Sequence, residues 1–396
     1  MSKNFLEVAK QIFPGGANTR SKRPSMIPFV VTGGKGAYLE IKGHQDRVID
    51  WSASCGTIIL GYNSIADDIV ASGFGSELNS VPSVTKNEIL LGEKLLHRNP
   101  FMEQVRLFKT GSEATLAAVR LARTITKRKH IIASGYHGWH DWYSSIYDPV
   151  LPQNTTLIPY GDLDALALAF KNHEGDIACV ITEPIDRFNK RQQSIVSNVS
   201  LKMMKEMCAD NGALFIMDEL LTGFRCNSKW DTADPDLVCY GKTMANGYSV
   251  AALLGRQKYM EHLENGYVGG TFAGEGFPIA MARYTIDKIE SLNIANQLEE
   301  KSKLLNSGFA TIFSTVGTDY VVSFRSFGPI TFFRWGTTKK SQEARSIFCA
   351  HTLENNVLYA DQHFITAAHT RDDIMYTLGV YAYAIKQALK WNNNYA

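Results

Sequence analysis

Lys242 is the residue of this chain whose surroundings best suit covalent chemistry. It follows a short apolar run at residues 237–239, typical of a buried strand, and that run ends near Gly241. A lysine amine at such a place is desolvated, which lowers its pKa and makes it nucleophilic towards carbonyl groups. Because most lone lysines are surface side chains with apolar stems packed on the protein, the assignment depends on other residues.

Two further polar groups follow other apolar runs. Gly111 and Ser112 stand between residues 105–108 and a strongly helical segment, and N–H groups at a helix N-terminus beside a hydroxyl suit a phosphate. Plain capping of that helix by Ser112 is the alternative. Asp218 ends the run at 213–217, where a carboxylate could keep a proton on a heterocyclic nitrogen or serve as an ordinary cap or ion-pair partner.

Aromatic residues between these groups indicate a flat ligand. Tyr136 and His137 follow the apolar run at 130–134 and could stack on a ring. His137, His140 and Asp141 also form an HxxHD group, but the sequence offers no further strong metal ligand at a familiar spacing. A phosphate site, a stacking aromatic, a pyridinium partner and a Schiff-base lysine on successive strands together indicate pyridoxal 5′-phosphate (PLP).

A sheet must bring these residues together. Between residues 105 and 255, short apolar strands alternate with helices, which indicates a mostly parallel sheet covered on both faces. Ligands bind such sheets at the carboxyl ends of the strands. Short strands at 27–51 suggest a small antiparallel sheet. We expect three parts: an N-terminal segment at 1–55 that contributes to a smaller domain, a large PLP-binding domain at 56–274, and a C-terminal small domain at 275–396.

Composition argues against several other classes of protein. The 396 residues carry a net charge of +2 and are 45% hydrophobic and 20% charged, as in globular proteins with a substantial core. There is no long basic run with interleaved aromatics, which argues against nucleic acid as a partner. The first helix is amphipathic and stops before Pro14, and no apolar run is long enough to span a membrane. Six scattered cysteines indicate reduced thiols, so we expect a cytoplasmic protein.

Longer motifs carry a resemblance to a known family. They are PGGANTR (14–20), GAYLEIKG (36–43), KTGSEATLAAVRLAR (109–123), GYHGWHDW (135–142), TEP (182–184), MDELLTGFR (217–225), PDLVCYGKTMANG (235–247), GGTFAGE (269–275) and AHTRDD (368–373). Over nearly its whole length the chain resembles the class III aminotransferases of PLP fold type I, most closely the branch of glutamate-1-semialdehyde 2,1-aminomutase. The resemblance implies an α/β fold with a mostly parallel seven-stranded sheet in a large domain plus a smaller α+β domain.

The resemblance also implies a role for each matched residue. Lys242 would form the internal aldimine with PLP and move the proton between Cα and C4′, and Asp218 would pair with the pyridine nitrogen. Thr271 would reach the phosphate of the neighbouring subunit, which makes the active unit a homodimer. The remaining cofactor contacts would come from the phosphate-binding Gly111 and Ser112, the stacking Tyr136 with its neighbour His137, Glu183 at the cofactor's edge, and Leu220 beneath the ring.

The chain departs from the family pattern mainly around the substrate. Leu220 stands where the family usually has a β-branched residue. Residues 225–236 form a shorter connection than is usual in the family, and residues 184–196 lack the proline- and glycine-rich composition that the family usually has there. Arg20 could grip a substrate carboxylate bidentately, or it could be a surface arginine. Three tryptophans could line the pocket or pack in the core: Trp51, Trp139 and Trp142.

Together these features predict a PLP-dependent aminotransferase. It would move an amino group from an amino-acid donor to a carbonyl acceptor of the keto-acid, semialdehyde or keto-sugar type. An intramolecular aminomutase is the alternative, and a non-catalytic PLP-binding scaffold is a third hypothesis.

Overall fold

The computed structural model describes residues 5–19, 22, 29–63, 79–185, 196–226, 233–316 and 321–394. The strands in these ranges are β1 (Val31–Lys35), β2 (Tyr38–Ile41), β3 (Val48–Asp50), β4 (Gln104–Phe108), β5 (His130–Ser134), β6 (Thr155–Leu157), β7 (Ile177–Thr182), β8 (Leu214–Asp218), β9 (Leu237–Tyr240), β10 (Ala251–Gly255), β11 (Val322–Phe327), β12 (Ile330–Trp335), β13 (Val357–Leu358) and β14 (Gln362–Phe364).

The longer helices are α1 (Phe5–Ile12), α2 (Lys86–Arg98), α3 (Gly111–Thr126), α4 (Leu163–Asn172), α5 (Asn198–Asp210), α6 (Gly276–Ser291), α7 (Ile294–Val316), α8 (Lys339–Glu354) and α9 (Arg371–Asn394). Single helical turns occur at Asp141–Ser144 and Gln257–Met260. Among the helices in the described ranges, none combines the length and apolar character that crossing a bilayer requires.

The central sheet has seven strands in the order β4-β10-β9-β8-β7-β5-β6. Its neighbours pair in parallel except at β10, which is antiparallel to both β4 and β9. Every residue of β5, β7, β8, β9 and β10 is buried, as their continuous apolar composition predicted. The expected fold class is therefore confirmed.

Two apolar clusters cover the two faces of this sheet. Alternate residues of a strand point to opposite faces, so Ile131 and Ile132 of β5 belong to different clusters. The small side chains of α3 let that helix lie close to one face, on which it buries Ala114, Ala117, Ala118, Leu121 and Ala122. The N-terminus of α3 is thereby fixed near the strand ends.

Two smaller sheets are built from the ends of the chain. β1, β2 and β3 pair antiparallel, and β13 joins β3 in parallel, so the N-terminal strands do join the C-terminal part. β11, β12 and β14 form the other sheet. The first of the short strands expected at 27–51 is β1, which begins at Val31, while residues 27 and 28 lie outside the described residues. Gly33 and Gly34 in this strand leave room for the side chains of Glu40 and Tyr62.

Candidate active site

Five loops with polar or glycine residues meet at one edge of the central sheet. They follow β4, β5, β7, β8 and β9, which run in the same direction, and therefore all leave the sheet at its carboxyl edge. The residues that the sequence singled out on these loops are Gly111, Ser112, Tyr136, His137, Glu183, Asp218, Leu220 and Lys242. The sheet order thus brings together groups that lie far apart in the sequence.

Asp218 is the last residue of β8 and is 1% exposed. One carboxylate oxygen lies 2.7 Å from Nδ1 of His137, and the other accepts a hydrogen bond from the N–H of Leu220 at 3.0 Å. A carboxylate can only accept, so the proton in the histidine pair resides on Nδ1. Among the described residues, no group forms a hydrogen bond with Nε2 of His137, although this atom is buried.

His137 therefore has contacts of its own beyond its position next to Tyr136. Its backbone carbonyl also accepts a hydrogen bond from the Thr115 hydroxyl at 2.7 Å, which fixes the residue to α3. His140 instead stacks on Trp139, with ring centroids 4.9 Å apart. The described residues contain no cluster of three potential metal ligands, so the HxxHD group has no metal-site geometry there.

The N-terminus of α3 presents backbone N–H groups at the site. Thr110, not Ser112, is the N-cap: its hydroxyl accepts from the Glu113 N–H, and the Glu113 carboxylate accepts from the Thr110 N–H in a capping box. The alternative role of Ser112 as the cap is therefore wrong. Gly111 and Ser112 occupy the first helical turn, where N–H groups have no acceptor within the helix, so this turn can bind an anion.

Lys242 lies in a tight turn directly after β9. Lys242–Ala245 forms a single 3₁₀ turn, and the Lys242 backbone has φ +38°, a region that residues with side chains rarely adopt. The next residue, Thr243, is fully buried and donates a hydrogen bond from its hydroxyl to the Gly223 carbonyl at 2.7 Å. The lysine is thus held by a buried and strained turn rather than by an open loop.

Leu220 connects this turn to the helix N-terminus. A Cβ atom at either Gly111 or Gly241 would lie 2.7 Å from a methyl carbon of Leu220, so a side chain at either position would force Leu220 to move. Leu220 is 8% exposed and follows Asp218 by two residues. An apolar side chain therefore lies between the anion-binding turn, the carboxylate and the lysine turn, as expected for a residue beneath a flat ring.

Glu183 contacts the segment that carries Tyr136, the residue predicted to stack on the ring. Its carboxylate is buried and accepts hydrogen bonds from the Tyr136 N–H at 2.9 Å and from the Tyr160 hydroxyl at 3.0 Å. Tyr136 is 43% exposed and packs edge-on against Tyr143. Glu183 thus orients the segment that carries Tyr136. No motif in the sequence pointed to Tyr160, which lies in the connection between β6 and α4.

The residues predicted to contact the substrate or the neighbouring subunit differ in how buried they are. Trp51 is completely buried, stacks on His369 at 4.2 Å and donates a hydrogen bond to Thr377 at 3.0 Å, so its contacts favour core packing. Trp142 is also buried, whereas Trp139 is 71% exposed. Thr271 lies in an exposed turn. Arg20 and most of the two divergent loops lie outside the described residues.

The residues present fit PLP. A buried carboxylate suits a protonated ring nitrogen, a helix N-terminus suits the phosphate, and a lysine amine on the neighbouring strand suits the aldehyde. The glycines that face Leu220 leave a space that Cβ atoms would fill. The contribution of each of these residues to binding remains a prediction.

Comparisons with known proteins agree with this geometry. The family described as aminotransferase class III matches residues 19–371. The 3-aminobutyryl-CoA aminotransferase of Cloacimonas acidaminovorans is 29% identical over 398 residues, which cover 95% of this chain and 94% of that protein. The glutamate-1-semialdehyde 2,1-aminomutase of Methanothermobacter thermautotrophicus is 30% identical over 420 residues, with 95% and 97% covered.

Solved structures show the same fold. The FumI protein of Sphingopyxis sp. MTA144, solved in its PLP internal aldimine form, superposes with a TM-score of 0.86 at 26% identity, covering 98% of this chain and 96% of that chain. An omega-transaminase from Sphaerobacter thermophilus gives a TM-score of 0.87 at 18% identity, with 97% of each chain covered, which supports the fold alone. Together with the family match, these findings show that the chain belongs to the class III aminotransferases and that its cofactor is PLP.

Proposed function

We propose that this chain is an aminotransferase that moves an amino group from an amino-acid donor to a separate carbonyl acceptor, a keto acid, a semialdehyde or a keto sugar. The observation that carries the proposal is the buried Asp218 at the end of β8, beside the strand that leads to Lys242. Parallel pairing of β8 and β9 puts an amine and a carboxylate on one edge of the sheet.

Each residue has a distinct part in this chemistry. When bound, PLP supplies an electron sink that stabilises the carbanion left when the donor loses its α-proton. Lys242 would provide the amine that binds the cofactor, and its Nζ would take the donor's α-proton and return it as a general base. Asp218 would favour the protonated ring nitrogen by opposite charge. His137, by donating a hydrogen bond from Nδ1, would orient the Asp218 carboxylate.

We also propose that the active unit is a homodimer. Thr271 lies in an exposed segment together with Tyr267, which is 97% exposed, and Phe272, which is 62% exposed. Large aromatic side chains in water on a single chain favour burial against another surface. In the dimer, Thr271 would bind the phosphate at the site of the other subunit, while Gly111 and Ser112 bind it from within the same chain.

The first test is the substitution Lys242→Ala. The wild-type protein should bind PLP and become fixed to it by sodium borohydride at Lys242, as read by peptide mass spectrometry. The variant should lose both this fixation and amino transfer by at least about 10⁴-fold, because both the nucleophile and the base are removed. A variant that is still fixed to PLP at another lysine would refute the assignment. A wild-type protein that binds no PLP would favour the non-catalytic scaffold.

The aminomutase alternative is favoured by relatives of that name at 28–30% identity. It requires no separate donor, whereas an aminotransferase passes the amino group from one molecule to another. ¹⁵N-labelled amino acids should therefore deliver label to an unlabelled carbonyl acceptor if the main proposal holds. If no label reaches the acceptor and the amino group is transferred only within one substrate molecule, the protein is an aminomutase instead.

A further inference from the structure

The backbone of Lys242 adopts a conformation that the surrounding structure must enforce. Its φ of +38° is unfavourable for a residue with a side chain, and such conformations persist only where neighbouring contacts over-determine them. The 3₁₀ turn supplies backbone hydrogen bonds from the Met244 N–H to the Gly241 carbonyl at 2.9 Å and from the Asn246 N–H to the Thr243 carbonyl at 3.2 Å. Buried side chains of the turn, those of Thr243 and Asn246, hold it further against other segments of the chain.

Asn246, four residues after the lysine, makes the most extensive of these contacts. Its Oδ1 accepts hydrogen bonds from the N–H groups of Ile59 and Leu60, both at 2.9 Å, and its Nδ2 donates to the Gly61 carbonyl at 3.0 Å. The side chain is 5% exposed, and its own φ is +47°, which asparagine tolerates better than most residues. One amide thus satisfies three backbone groups of a segment more than 180 positions away.

That segment is fixed from its other side as well. The carbonyl of Ile59 accepts a hydrogen bond from the Ala367 N–H at 2.7 Å. The carbonyl of Ile58 accepts one from the guanidinium of Arg225 at 2.7 Å, and Arg225 also donates to the Ile365 carbonyl at 2.6 Å. Residues 58–61 therefore connect the lysine turn to the C-terminal part of the chain, and Asn246 makes that connection on the lysine side.

We propose that Asn246 is a positioning residue for Lys242, an inference that rests on the proposed function. Its amide holds the strained turn against residues 58–61, so that the lysine amine stays where it meets the cofactor's aldehyde. Fixing a reacting group in this way raises its effective concentration, and small displacements cost much of that advantage. Without the amide, two N–H groups and one carbonyl would lose their partner, and the turn could relax towards negative φ.

The test uses the PLP-loaded protein and the substitution Asn246→Gly. Glycine accepts φ +47° without strain, so this variant removes the amide while keeping the backbone conformation accessible. The matched control is Asn293→Gly, at φ +50°, in the exposed connection between α6 and α7. The readouts are the Kd for PLP, the fraction of Lys242 fixed to the cofactor by borohydride, and hydrogen exchange of the amides of residues 58–61.

In Asn246→Gly, the Kd for PLP should rise about 10-fold and the fixed fraction at limiting PLP should fall, because the amine is no longer held in position. Exchange at residues 59 and 60 should accelerate, and the control should match the wild type. Asn246→Asp keeps an acceptor for the two N–H groups but replaces the donor to Gly61 by a second acceptor facing that carbonyl, so the Kd for PLP should rise by about threefold. This second variant tests the inference should the glycine variant fold poorly.

The outcomes separate the inference from the proposed function. A wild-type protein that borohydride does not fix at Lys242 would overturn the proposed function, and this inference with it. Normal fixation in the wild type with unchanged Kd and fixed fraction in both Asn246 variants would overturn the inference alone. Faster exchange at 59 and 60 with unaltered cofactor binding would likewise overturn it, because Asn246 would then be purely structural.

Discussion

Two buried aspartates lie at opposite edges of the central sheet, and they have different partners. Asp218 ends β8 at the carboxyl edge, and Asp236 precedes β9 at the other edge, where it is 2% exposed. Asp236 accepts hydrogen bonds from the Phe215 N–H at 2.8 Å and the Tyr259 hydroxyl at 3.2 Å, and forms an ion pair with Lys205 at 2.5 Å. Its negative charge is matched by a cation of the same chain.

Among the described residues, no lysine or arginine forms an ion pair with Asp218. The described structure gives its carboxylate an imidazole and a backbone N–H. A buried carboxylate is costly unless its charge is compensated, so Asp218 is suited to a cationic ligand, whereas Asp236 is already neutralised. The comparison teaches that burial alone does not distinguish a functional carboxylate from a structural one, whereas the charge of its partners does distinguish them.

For the two aspartates, the largest expected effect is on the activity of Asp218→Asn. The amide is nearly the same size but cannot favour a protonated ring nitrogen, so the rate of the first half-reaction should fall by about 10²–10³-fold. Stopped-flow absorbance of the bound cofactor after mixing with donor measures this rate. The free energy of unfolding should change by only about 1 kcal/mol, because one hydrogen bond is altered. A variant with near wild-type rate would remove the basis of the comparison.

Asp236→Asn should give the opposite result. Lys205 would lose its carboxylate while it remains 20% exposed, so the free energy of unfolding should fall by about 2–3 kcal/mol. The half-reaction rate per folded molecule should stay near that of the wild type, since the site lies at the other edge. Urea denaturation measures the first quantity. If this variant lost activity and kept its stability, the two edges would have exchanged roles.

The sequence predicted the sheet well because its strands are apolar throughout. The apolar runs at 105–108, 130–134, 213–217 and 237–239 coincide closely with β4, β5, β8 and β9, since a strand buried on both faces has a continuous apolar run. β6 was missed because it is a three-residue edge strand, Thr155–Leu157, without such a run. The ends of these apolar runs predicted where the strands end, and therefore where Asp218 and Lys242 lie.

The contacts within the site could not be predicted in the same way. His137 meets Asp218 across 81 residues, and Asn246 meets Ile59 across 187, so both pairings depend on how the loops pack and not on a local pattern. Positive φ at Lys242 leaves no trace in the sequence either, because the residue is not glycine. The N-cap of α3 could not be assigned from the sequence, since Thr110 and Ser112 are both residue types that cap helices.

The smallest expected effect concerns a histidine at the same edge as Asp236. His130 begins β5, its ring stacks on His173 with centroids 3.6 Å apart, and its Nε2 lies 2.8 Å from the Thr156 hydroxyl. Burial, and then the charge of His173, lower the pKa of His130 to about 4. In the unfolded chain the group has its ordinary pKa of 6.5, so between pH 6.5 and 4 the unfolded state binds a proton that the native state does not.

Stability should therefore be complete above pH 6.5 and fall as the pH drops towards 4, by at most about 1.4 kcal/mol per pH unit and less where solvent screens the charge. His130→Gln should flatten this slope between pH 6.5 and 5 in urea denaturation, while the exposed His262→Gln should leave it unchanged. Activity at pH 7.5 should be the same in all three proteins, because His130 is remote from the carboxyl edge. An unchanged slope in His130→Gln would assign the acid sensitivity elsewhere, first to the completely buried His363, whose pKa burial lowers to about 3.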